Sequence, residues 1–543
     1  MIKIMWLRFL VLGMLAGFSV RAQISDIAGE RIRAHVKFLA SDLLEGRGVG
    51  TRGGDLAAEY IAAQFALVGA KPAGDNGTYF QKVPLVGVTT SPEALLTAQG
   101  EGASARFQLM QDFVGVTLQQ RADVKLDGEL VFAGHGIVAP EFGWDDFKGF
   151  NVRGKILVMF TNEPPSDDPA FFGGKALTYY GRWTYKYEQA ARMGAAGVLL
   201  IHTTPTAGYG WDVVRSSWGK ENVQIPLAGG AEALAFAGWL TQEAGGRLLK
   251  LSGQTVDQML ASANTREFRP VALGIRLRGS VPAKLREIVS RNVAGVIPGS
   301  DPVLKSQVVV YSAHWDHLGI GVPVNGDSIY NGAVDNATGC AIVMELARAW
   351  SGLKQKPRRS GLFLAVTAEE AGDLGADYYG QHPIFPLGKT ALDLNFDSYY
   401  PLGATKDVLV TGAERTTIFP VVQEAARRLT LEIKPDPHPE QGSYYRSDHF
   451  SFARFGVPAF SVEMGTEFYG KPAAFGEKAF DEYNDKHYHQ PSDEYKDDWD
   501  FASMEQAARL GFLIGTNVAN QEKLPSWKAG DEFLKAREAS WSK

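Results

Sequence analysis

Apolar residues along this chain follow two rhythms, and the switch between them divides it. From Ile27 to Leu44, IAGERIRAHVKFLASDLL, they recur every three or four residues, the spacing of one helix face. A polar, glycine-rich turn, EGRGVGT, follows, and a second amphipathic stretch runs from Asp55 to Val68 until Gly69, Pro72 and Gly74 end it. Tyr79-Phe80-Gln81 opens a more strand-like region. From about Leu126 the apolar runs shorten and turns separate them: GELVFAGHGIV, the loop EFGWDDFKGF, then VRGKILVMF. A helix-like stretch from Tyr185 to Met193 leads into GAAGVLLIHTT. The pattern predicts a small β-rich module, with edges near 120 and 285, inserted in a larger domain.

From Asn292 onward strands and helices alternate. NVAGVIPG, VVVYSAHWD, GLFLAVTAEE, ALDLNFDSY, VLVTG and GVPAFSVEMG read as strands. CAIVMELARAW, TTIFPVVQEAARRL and SMEQAARLGFLIGTNVAN read as helices. Runs such as VVVY, apolar without alternation, need cover on both faces, as strands of a parallel sheet do. The expected fold is α/β: a mostly parallel central sheet flanked by helices, with the β-rich module set into it.

Composition narrows this picture. A chain of 543 residues exceeds one ordinary core. Hydrophobic residues at 45% and charged residues at 21% fit a globular enzyme, and a net charge of -6 without a basic stripe argues against a nucleic-acid partner. The opening MIKIMWLRFLVLGMLAGFSVRAQ has a basic start (Lys3, Arg8), an apolar stretch from Phe9 to Val20 and an A-x-A-like site at Val20-Arg21-Ala22. Residues 1–22 are therefore expected to be a signal peptide, with the mature protein periplasmic or secreted. The apolar stretch is short of the ~20 residues that span a bilayer, so no membrane anchor is expected. The one cysteine, Cys340, excludes an intramolecular disulfide and reads as a small buried hydrophobe.

Candidate chemistry gathers at the predicted strand ends of the last region, where open α/β sheets bind their ligands. His314 and Asp316 close VVVYSAHWD; Asp335 lies in GDSIYNGAVDNATG; Glu369 and Glu370 close GLFLAVTAEE; Asp397 closes ALDLNFD; His489 lies in HYHQPSD. These five signals, two with an imidazole and three of carboxylate alone, suit zinc or a similar divalent ion. Each has a plainer reading: a packed His, a helix-capping Asp335-Asn336, a solvated Glu pair, a turn Asp. The vicinal carboxylates weigh most, since they repel unless a cation or proton compensates. His35, His135 and His202 read as structural.

The combination AHWDHLG, GAVDNATG, TAEE, NFD and YHQPSD resembles the co-catalytic di-zinc aminopeptidases, in the exported bacterial branch that carries an inserted protease-associated (PA) domain. FLASDLLEGRGVGTRGGDLAAEYIA, the GKILVMF and GAAGVLLIH module and SDHFSFARFGVPAF fit the same family. The resemblance implies an N-terminal peptidase part at 23–119, a PA-like domain at 120–285 and the di-zinc domain at 286–543. It implies two Zn²⁺ per chain: His314 and Asp397 on one, Glu370 and His489 on the other, Asp335 bridging. Asp316 would orient His314, Glu369 would be the general base, and Tyr488 would stabilise the oxyanion, with Tyr444 and Tyr445 as rivals. His317, His449 and His487 are expected to support the ligands or the fold. The implied substrates are peptides with a free N-terminus. A carboxypeptidase or dipeptidase on the same scaffold, with Arg446 holding a carboxylate, is the first alternative. A metal-free binding relative and a single-zinc cyclase are the others.

Overall fold

A computed structural model describes residues 24, 26–228 and 233–542, so the expected signal peptide at 1–22 lies outside the described residues. The chain forms two compact units. The first comprises Met1–Val83, Val289–Asp436 and Arg446–Lys543; the second comprises Pro84–Ile288 and Pro437–Tyr445.

The first unit is built on strands in the order Ala459–Ser461, Thr390–Asn395, Val308–His314, Ser360–Val366 and the end of Val271–Ile297. The first four run parallel, and the last is antiparallel to Ser360–Val366. Every residue of Val308–His314, Ser360–Val366 and Thr390–Asn395 is buried, as strands covered on both faces must be. The expected mostly parallel α/β sheet is thus present. Helices Thr338–Ser351 and Ala502–Asn520 pack on its central strands. There Tyr311 stacks on Phe363 with ring centroids 5.4 Å apart, and Trp350 Nε1 donates to Tyr311 Oη at 3.0 Å. The early helices run Gly29–Leu39 and Arg52–Leu67, and the Thr51 side chain caps the second. VLVTG contributes Asp407–Leu409 to a separate three-stranded sheet with Glu432–Lys434 and Glu463–Met464. Among the described residues no helix is long and apolar enough to cross a membrane.

The second unit has Asp123–Phe132, Ile156–Phe160, Gly197–Ile201 and Phe236–Leu240 as successive parallel neighbours, with Phe113–Val116 antiparallel at the end. It begins at Pro84, whereas the hydrophobic pattern changes only near 120. The hairpin Leu95–Gln99 and Ser104–Gln108 accounts for the difference, because Leu95–Gln99 pairs with Arg276–Ser280. Trp183 and Trp218, 5.5 Å apart, pack beside Tyr187 and Trp239 as a local aromatic cluster.

Candidate active site

The carboxyl ends of the central strands bring the expected residues together. Val308–His314 delivers His314, 1% exposed. Its Nε2 stands 3.2 Å from Asp335 Oδ1, 3.4 Å from Asp397 Oδ1 and 3.8 Å from Glu369 Oε2. On the other side of Asp335, Oδ2 lies 3.4 Å from His489 Nε2, which is 3.1 Å from Glu370 Oε2. Asp335 therefore offers one oxygen to each half of the cluster. Tyr488 lies against His489, with ring centroids 3.9 Å apart.

Local backbone explains how each side chain reaches the centre. Asp335 sits in the irregular turn before helix Thr338–Ser351, across a cis peptide bond to Asn336. Gly332 begins that turn at φ 58, and a Cβ there would fall 2.2 Å from the Asp335 carbonyl oxygen, so no other residue fits. Asn336 fastens the turn from inside, donating to the Phe396 carbonyl at 2.9 Å and accepting from Gly339 N at 2.8 Å. The Glu pair is not the last part of a strand, as its sequence suggested. Ser360–Val366 stops earlier, Ala368 turns left-handed at φ 56, and Glu369–Ala371 forms a short 3-10 turn. The turn, rather than strand alternation, sends Glu369 toward His314 and Glu370 toward His489. His489 itself has φ 56 and Ser398, after Asp397, φ 56; backbone in this region clusters where function constrains it.

Asp316 contacts both His314 and Glu369. His314 Nδ1 is 3.1 Å from the Asp316 backbone carbonyl and 3.9 Å from its carboxylate, which also accepts Glu369 N–H at 3.2 Å. The residue thus ties the Glu369 backbone to the imidazole. Three further residues act on the cluster without having stood out in the sequence. Asp493 accepts from Val334 N and Asp335 N, at 3.0 and 3.1 Å. Ser447 Oγ donates to Asp397 Oδ2 at 2.7 Å. Arg47, wholly buried, donates to the carbonyls of Leu39, Trp315, Asn331 and Gly332, pinning the segments that carry His314 and Asp335. Asp493 and Ser447 lie inside stretches that carried the family resemblance, HYHQPSD and SDHF, and Arg47 inside EGRGVG. Their only signal was that proximity. His449 Nδ1 is 3.5 Å from Asn395 Nδ2, and His487 Nδ1 bonds Ser492 Oγ, so neither enters the cluster.

Electrostatics separate the vicinal carboxylates. Burial, with Asp373, Glu370 and Asp397 nearby, holds the Glu369 carboxyl well above the ordinary carboxylate range against the pull of His314. Burial would raise Glu370 too, but His489 and His317 hold it well below that range. Burial opposes charge on His489, yet Glu370 and Asp335 raise it to about 9. Neighbouring carboxyls pushed apart in this way are suited to separate roles.

The donor set fits a divalent cation. His314, Asp335 and Glu370 each offer a ligand atom within 4.8 Å of the others, and His314 Nε2 is buried without a hydrogen-bond partner. Such convergence is costly unless a cation takes up the lone pairs.

Comparison with known proteins agrees. Residues 292–512 match the family described as Peptidase family M28. Aminopeptidase NAALADL1 of Mus musculus is 30% identical over 156 residues, 28% of this chain and 19% of that protein. Leupeptin-inactivating enzyme 1 of Streptomyces exfoliatus is 27% identical over 187 residues, 33% of this chain and 37% of that protein. The chain thus spans well under two thirds of these curated relatives. Among solved structures, an aminopeptidase from Aneurinibacillus sp. strain AM-1 shares the fold, with TM-score 0.54 and 19% identity over 94% of this chain and 98% of that one. Residues 292–512, the stretch similar to that peptidase family, hold every side chain of the cluster.

Proposed function

We propose that the chain is an exported aminopeptidase with two zinc ions at this site. The observation that carries the reading is Asp335, with one carboxylate oxygen facing His314 and the other His489. His314 and Asp397 would hold one ion, Glu370 and His489 the other, and Asp335 both. When bound, zinc supplies Lewis acidity that polarises the scissile carbonyl and favours ionisation of water. Glu369 then takes the proton of the attacking water and returns it to the leaving amine, and its raised proton affinity suits both steps. Tyr488, beside His489, donates its phenol hydrogen to the developing oxyanion.

An excess of negative groups favours a free α-amine over a free carboxylate in the substrate. Asp373, Asp448 and Asp397 lie within electrostatic reach of Glu369 or His314, whereas Arg446 acts on Tyr488. The second unit, inserted between Val83 and Val289, fits the PA-like module that the sequence resembles. The leader-like first 22 residues support export.

The test is metal content together with substrate choice. The purified protein is expected to hold about two zinc ions per chain and to cleave Leu-p-nitroanilide. Cleavage of N-acetylated peptides without any free-amine substrate would instead establish the carboxypeptidase alternative, and a protein that takes up no metal would be a binding relative.

A further inference from the structure

The strand that delivers His314 continues into an irregular stretch, and His317 in that stretch has no part in the chemistry above. Its ring is 1% exposed. Nδ1 stands 2.5 Å from Glu370 Oε1, whereas the second oxygen of that carboxylate, Oε2, faces His489 Nε2 at 3.1 Å. The two oxygens of Glu370 are thus divided between two imidazoles, and the rings of those imidazoles meet edge-on with centroids 5.7 Å apart. His317 Nε2 has no hydrogen-bond partner and Nδ1 makes no bond of ordinary angle, so the 2.5 Å approach of Nδ1 to Glu370 Oε1 is the close polar contact of the ring.

The surroundings leave that ring little freedom. Gly332 lies so close that a Cβ there would come within 2.4 Å of His317 Cγ. The His317 amide approaches the Arg47 carbonyl at 3.4 Å, and the Arg47 guanidinium is bonded to the carbonyls of Trp315 and Gly332 on either side.

We propose that His317 is a positioning residue for the Glu370–His489 half of the metal centre: its Nδ1–H holds Glu370 Oε1 and leaves Oε2 as the single donor oxygen. The inference rests on the two-zinc reading above. A charge-assisted N–H bond to one carboxylate oxygen fixes the rotation of the group and the direction of the other oxygen's lone pairs. The stretch His314-Trp315-Asp316-His317 then serves both halves. The Asp316 carbonyl steadies the His314 ring, and His317 steadies the carboxylate opposite it.

Zinc content and affinity, read by chelator titration of the full-length holoprotein, test this with three variants. His317→Leu removes the donor, His317→Asn places an amide N–H near the position of Nδ1, and His317→Gln extends its amide toward the position of Nε2. His317→Leu should weaken one of the two zinc ions by about 10- to 100-fold and leave the other unchanged. His317→Asn should restore most of that affinity, and His317→Gln should not. The metal-free thermal midpoints of the Leu and Asn variants should agree, because a packing role would separate them instead. Unchanged affinity for both ions in His317→Leu, or equal losses in Leu and Asn, overturns the proposal while the two-zinc reading stands. A wild-type protein that takes up no metal overturns both.

Discussion

Each of the two units buries a group of charged and titratable side chains, and the groups are arranged in opposite ways. In the second unit Lys186 is wholly buried and donates to the carbonyls of Asn162 and Tyr180, at 2.8 and 2.7 Å. Asp146 accepts from Ile137 N and Trp144 Nε1, and Glu163 accepts from the backbone and hydroxyl of Thr178. Burial pushes Asp146 up to about 6 and Glu163 up to about 7, and lowers Lys186 to about 7. Each group nevertheless has its own hydrogen bonds, directed outward into backbone and neighbouring side chains. In the first unit His314, Asp335, Glu370 and His489 point at one another, with acceptor atoms 3.1 to 3.4 Å apart. Perturbed proton affinity is common to both groups. Among the described residues, convergence of three or more ligand-type side chains on one point is found at the candidate active site, and it is the feature that separates a site from a satisfied core.

The sharpest way to break that contrast is to remove one group from each side. Glu369→Gln keeps the size of the side chain and loses the proton acceptor. It should lower kcat by about 10²- to 10⁴-fold. Zinc content should stay at the wild-type value, because the residue is assigned to proton transfer and not to metal binding. A variant that loses metal and activity together would show that Glu369 is a ligand and that the division of roles within the Glu pair is wrong.

The matching change in the second unit is Lys186→Met. It leaves the Asn162 and Tyr180 carbonyls without their donor, at about 1–3 kcal/mol each. The urea midpoint should fall and hydrogen exchange should quicken across residues 156–201, while the zinc affinity of the first unit stays as it was. If Lys186→Met abolished activity at unchanged stability, the second unit's buried charge would be functional and the contrast between the units would fail.

The sequence disclosed most of the first group for a physical reason. Strands covered on both faces must be apolar throughout, so the polar residue that ends VVVYSAHWD or ALDLNFD is visible as a break in pattern. Groups that act through long-range contacts leave no such mark. Arg47 reaches carbonyls 268 and 284 positions away, and Asp493 reaches the Asp335 amide 158 positions away. His317 shows the same limit from nearby: three residues after His314 in sequence, it touches Glu370 only because the irregular stretch after the strand brings it there. The separation of Glu369 from Glu370 arises from a left-handed Ala368, which the apolar pattern of the strand does not mark. In the second unit Lys186 falls within a plainly amphipathic helix, and nothing in that periodicity marks it as buried on the inner face.

The smallest effect concerns His135, held between Gly134 and Gly136 in the second unit. Its Nδ1 lies 3.2 Å from the Thr161 carbonyl oxygen, and its Nε2 lies 2.8 Å from Asn264 Oδ1. Burial, together with the charge of Lys186, lowers it from the ordinary value of 6.5 to about 4. The folded ring is therefore neutral where the unfolded one is protonated, so the unfolded chain binds more protons between those two values. Stability from this group is complete above about pH 6.5 and is lost as the pH falls toward 4, by about 3 kcal/mol in all. Urea titrations of wild type and His135→Gln at steps between pH 4.5 and 7.5 measure it as a difference, which removes the contributions of Asp146 and Glu163 common to both. The wild type should lose stability more steeply on acidification, and the two curves should run parallel above pH 7. Parallel curves throughout would mean that His135 is accessible to protons in the folded state, and the second unit would then hold an unsatisfied titratable group of the kind that the comparison assigns to the first unit alone.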